Sequence, residues 1–118
     1  MGTISSNNII VINRGDSFIF THKLNLGSAM YPEYYELKDN DKVYLGVTEC
    51  NKPFEQAIIK QVYDKQDQDT GLDVTFKFKP DDTLYLLPGR YYYEIKLSTD
   101  NGSNVYTILP KTILYIVE

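Results

Sequence analysis

Apolar and polar residues alternate along much of the chain with the period of a half-buried strand. Val74, Phe76 and Phe78 fall on one side of segment 73–79, with Asp73, Thr75, Lys77 and Lys79 opposite. Val43, Leu45 and Val47 share one side of 42–49, and Phe18, Phe20, Leu24 and Leu26 one side of 17–26. In 90–98, Tyr91, Tyr93, Ile95 and Leu97 oppose Tyr92, Glu94, Lys96 and Ser98. Together with 8–13, 56–63, 104–109 and 112–118, these segments make eight predicted strands. Between them lie Gly15-Asp16, Gly27-Ser28, Asp39-Asn40-Asp41, Thr70-Gly71, Pro88-Gly89, Asn101-Gly102 and Pro110, all turn chemistry.

Strands with one wet face suit antiparallel sheets, and two such sheets packed face to face bury all the apolar sets at once. The pattern therefore predicts an all-β chain, an immunoglobulin-like antiparallel β-sandwich of about eight strands, with a small closed β-barrel as the alternative. Residues 1–118 are read as a single domain, with 1–7 a flexible amino terminus. Composition agrees: there are eleven Tyr and five Phe, while Ala, the best helix former, occurs only at Ala29 and Ala57. The last segment, 112–118, is expected to be a sheet edge open to another chain.

Charge and cysteine content narrow the function. A net charge of −4 without a basic block argues against nucleic acid as a partner. One Cys, Cys50, and one His, His22, can form neither a disulfide framework nor a Cys/His metal cluster, and no cofactor is expected. Runs such as Ile9–Ile12 are far shorter than a membrane span, so no membrane partner is expected and the chain is read as made in the bacterial cytoplasm.

Candidate chemistry is sparse. Arg14-Gly15-Asp16 matches an adhesion tripeptide, but between two apolar runs it reads as a strand-to-strand corner in which Gly15 supplies the bend. His22 shares a side with Phe18, Phe20 and Leu24 and reads as a rim or core histidine, and no nucleophile motif accompanies it or Cys50. Asp81 and Asp82 read as capping residues before one helical turn. Asp67, Asp69 and Asp73 around Gly71 suggest a weak calcium site, yet the Gly stands in the wrong register for an EF-hand, so a solvated hairpin loop is favoured. Tyr31, Tyr34, Tyr35, Tyr44 and Tyr92, with Met30, are the candidate interface, because Tyr beyond core needs suits contact with protein or with sugar. Segment 28–36, around Pro32, is the expected contact loop.

Leu86, Gly89, Tyr91 and Tyr93 form a Leu-x-x-Gly-x-Tyr-x-Tyr corner leading into a strand, and Arg14, Gly15, Asp16 and Ser17 open an earlier one. These elements resemble a domain of phage and prophage tail proteins, in particular the amino-terminal domain of siphophage upper-baseplate proteins, over nearly the whole chain. The resemblance implies a noncatalytic structural or assembly protein of a tail or baseplate, with an Ig-like fold, assembled into a virion and acting on other tail proteins or on itself. It makes the Arg-Gly-Asp triplet a structural corner. Ig-like corners of this kind bond a Tyr hydroxyl to backbone, and Tyr91 is the candidate. The alternative function is a carbohydrate-binding module that stacks a host-surface glycan on the surface tyrosines.

Overall fold

The alternating apolar sets meet in one interior in a computed structural model that describes residues 2–118. Val43, Leu45, Val47, Tyr93, Ile95 and Leu97 from one sheet face Phe18, Phe20, Val74, Phe76 and Phe78 from the other, all buried. Each such side chain contributes about 1.5–3 kcal/mol on burial. Phe20 stacks on Phe76 and meets Tyr93 edge-on, which locks the two layers together.

The strands are β1 (Thr3–Ile4), β2 (Ile10–Asn13), β3 (Phe18–Lys23), β4 (Lys42–Thr48), β5 (Ile59–Tyr63), β6 (Asp73–Phe78), β7 (Gly89–Thr99) and β8 (Asn104–Val117). One helical turn, α1 (Pro80–Leu84), precedes β7. Six strands form a curled mixed sheet in the order β1-β2-β8-β7-β4-β5, and β3 and β6 form a second sheet of two. The chain is an all-β sandwich. Every pairing but one is antiparallel; β2 runs parallel to β8, with Ile10 opposite Leu114 and Ile12 opposite Ile116.

Four details correct the sequence reading. The flexible amino terminus expected over 1–7 is instead tied down from residue 3: Thr3 and Ile4 pair with β2, and Ser5 N–H donates to Ile9 O at 2.9 Å. Met1 lies outside the described residues. Pro110 does not separate two strands, because β8 runs through it. There the partner register slips between Tyr93↔Thr112 and Ile95↔Leu109, so Pro110 and Lys111 fall in a bulge where a missing N–H costs no ladder bond. Segment 112–118 is no edge but lies between β2 and β7, and the large sheet ends at β1 and β5. Finally, β3 stops at Lys23, so Leu24 and Leu26 pack on the core from a loop.

Candidate functional site

The first corner links β2 to β3. Gly15 takes a φ of +82°, a conformation costly for any residue with a Cβ, and an added Cβ would stand 3.2 Å from Leu84 Cδ1. Its N–H donates to the buried Thr83 hydroxyl at 2.9 Å, which fastens the turn to α1. Arg14 N–H donates to Val117 O at 2.7 Å, and its guanidinium meets the Glu118 carboxylate at 3.2 Å. Asp16 N–H donates to Asn13 O at 3.0 Å. Arg14, Gly15 and Asp16 are thus built into the frame rather than raised on a loop.

The second corner leads into β7. Asp82 Oδ2 accepts from Lys79 N at 2.8 Å and starts α1. Past it, Leu86 packs partly on the core, Gly89 opens the strand, and the Tyr91 hydroxyl donates to Leu87 O at 2.7 Å. Burial raises the Tyr91 pKa, with Glu49 adding to it. This corner holds a feature that sequence reasoning missed: Tyr85 and Leu87 stand 85% and 77% exposed. A helix of five residues has too little face to cover a Leu-Tyr-Leu-Leu run.

The loop after β3 is ordered by one side chain. Asn25 Oδ1 accepts from Gly27 N and Glu33 N, both at 2.9 Å, while Leu26 N donates to Glu33 O and Tyr35 N to Leu24 O. Gly27 sits so close to the returning chain that a Cβ would lie 2.3 Å from Tyr31 O. Met30 and Tyr31 form the tip of this rigid loop, 83% and 79% exposed. Tyr34 is exposed beneath the tip, with Lys23 Nζ 5.4 Å from its ring centre. Tyr35 does not join them: it is half-buried against the core and donates its hydroxyl to Asp41. Burial and then that carboxylate push its pKa up to about 12.

Tyr44 and Tyr92 lie elsewhere, half-buried on the outer face of the large sheet. Tyr44 pairs with Val62 and Lys96 across the ladder, while Tyr92 pairs with Thr48, four rungs away on the same face. Phe54 folds over Gly46, where a Cβ would be 2.5 Å from its ring, and Lys60 and Lys96 sit over that ring at 5.9 and 4.9 Å. Tyr44, Phe54, Val62, Lys60, Lys96 and Val105 line a cleft of about 460 Å³. The six predicted interface residues therefore divide into a loop tip, a core contact and a sheet face.

Segment 64–73 uses its acids on its own backbone. Asp64 accepts from Gln66 N, Asp67 from Asp64 N, and Asp69 Oδ1 from Gly71 N and Asp73 N. Asp73 pairs with Lys23 at 3.3 Å. His22 lies opposite Val74 in the small sheet, half-buried, and burial lowers its pKa against a smaller opposing effect of Asp73. Cys50 is exposed beside the β4 terminus. Among the described residues, no helix is long and apolar enough to cross a membrane. No protein-family model matches the chain, and no curated protein matches it.

Proposed function

We propose that the chain is a noncatalytic building block of a phage or prophage tail or baseplate, working through protein–protein contacts. The observation that carries this reading is the placement of large apolar side chains at the tips of internally braced turns. Met30 and Tyr31 project from the Asn25-ordered loop, and Tyr85 and Leu87 from the α1 corner. Rigid aromatic anchors bind with little loss of conformational freedom, and Tyr is a preferred hot-spot residue. The Arg14-Gly15-Asp16 and Leu86-to-Tyr91 elements that carry the resemblance both serve as corners here, which supports the same reading. Sugar binding gains less support, since Tyr31, Tyr34, Tyr44 and Tyr92 do not share one platform.

Co-expression with the products of the reading frames on either side, followed by size exclusion with light scattering, tests the proposal. A stoichiometric complex that the double change Tyr31→Ser, Tyr85→Ser abolishes is expected. Neighbours without the marks of tail genes, together with tyrosine fluorescence that responds to glycans, would overturn it.

A further inference from the structure

Strand β5 ends the six-stranded sheet, with β4 on one side and no strand on the other. Its outward row is Lys60 and Val62, and the same alternation carries on to Asp64 just past the strand. Val62 is 54% exposed. Among the described residues no carboxylate lies within 4.0 Å of the Lys60 ammonium, which rests on Glu55 O and the Phe54 ring instead. Among the described residues Asp64 makes a cap to Gln66 N but no ion pair. A lysine on an edge strand ordinarily discourages pairing. An acid four residues further along the same row reverses that effect for one arrangement only.

We infer that β5 is a self-pairing edge, and that two copies of this chain join β5 to β5, antiparallel, about a two-fold axis through Val62. In that register Val62 faces Val62, and Lys60 of each copy faces Asp64 of the other, so one two-fold contact makes two opposite-charge pairs around an apolar centre. Moving the axis to Lys60 or to Asp64 sets like charges against each other, so the charges select the register. Both strands of the small sheet also have one open side. The outward row of β3, Ile19, Thr21 and Lys23, holds no acid. The outward row of β6, Asp73, Thr75 and Lys77, has a like alternation, but Asp73 is already paired with Lys23, Val74 bridges to Gln68 and Lys77 N–H donates to the Tyr63 hydroxyl, so that edge is occupied. Strand β1 is only two residues long. Joining the β5 edges makes one continuous sheet of twelve strands. The inference rests on the assembly reading for its purpose, but its test uses this chain alone.

Light scattering of the purified chain should show a mass rising with concentration from 13.6 kDa toward twice that value, less so at high salt. Lys60→Asp alone and Asp64→Lys alone should each weaken the dimer about tenfold, since two attractive pairs become repulsive. Mixing those two variants should restore it, because each then supplies the charges the other lacks. Asp64 also caps a turn, so a second test avoids it. In a Cys50→Ser background, Val62→Cys places two thiols directly opposite across the axis, and mild oxidation should give a covalent dimer. Ile19→Cys, 61% exposed on β3, should not. A mass fixed at 13.6 kDa at high concentration and low salt, with no cross-linking above the Ile19→Cys control, overturns the inference. A monomer that still binds neighbouring gene products would refute the dimer and leave the assembly reading standing.

Discussion

Tyr63→Phe removes one oxygen from the seam between the two sheets and leaves the ring where it is. That ring sits edge-on to Phe76 at 4.8 Å, a contact phenylalanine keeps. The hydroxyl accepts from Lys77 N–H at 3.0 Å and donates to Gln61, so it links β5 to the backbone of β6 where no ladder does. The seam opens on a cleft lined by Lys60, Gln61 and Lys79, so water can reach the orphaned N–H. The loss should therefore be about 1 kcal/mol at pH 7, not the larger cost of a dry unpaired donor. For a chain of this size that is roughly 4 °C in melting temperature. Alkaline pH sharpens the test. Burial holds the Tyr63 pKa up at about 12, so the folded state keeps a proton that the unfolded chain gives up near 10. The hydroxyl's contribution is complete below pH 10 and is lost as pH rises from there toward 12. The advantage of the natural chain over Tyr63→Phe should therefore shrink as pH rises from 10 to 11. Urea titrations of both proteins from pH 7 to pH 11, followed by circular dichroism, measure the difference directly, and other tyrosines cancel in it. Equal stability at pH 7, or a difference that ignores pH, would refute the seam argument.

Gly27→Ala should disorder the Met30–Tyr31 loop, because the methyl has only backbone to displace; hydrogen exchange should quicken at Leu26 and Tyr35 while β4 amides stay protected. Gly15→Ala should cost about 1–2 kcal/mol in chemical denaturation, from a left-handed φ and the Leu84 contact together. For His22, whose pKa burial lowers, the unfolded chain binds the proton more readily; stability should rise with pH up to about 6.5, and His22→Gln should flatten that limb in melts taken between pH 5 and 7.5.

The faces of the strands were legible because the side-chain period of two is local: Val43, Leu45, Val47 and Val74, Phe76, Phe78 all point inward as the alternation requires. Neighbours were not legible, since alternation names a face and not a partner. Ile10 and Ile12 read the same whether beside an antiparallel strand or, as found, parallel to β8. Pro110 reads as a break until its pairing with β7 shows that β8 bulges there. Of the candidate interface, Met30 and Tyr31 could be read from a polar-flanked, turn-rich loop. Tyr35 could not, because its fate depends on Asp41 across the loop. Tyr85 and Leu87 look like core residues in sequence, and only the shortness of α1 leaves them outside.

The parallel pairing of β2 with β8 also sets an order of events. Among the described residues β2 pairs with the two-residue β1 and with β8 alone, and the residues that meet on β8 are about a hundred positions away in the chain. Closing so long a loop is entropically costly and is rewarded late. The β4-β5 and β7-β8 hairpins join strands close in sequence, so they are the natural early nucleus, and β4 then adds to β7. Until β8 has zipped onto β7, β2 has no register to adopt, and the Arg14 corner has no Val117 carbonyl to hold. Refolding should therefore be slow for a chain of this length, with amides of β7 protected before those of β2.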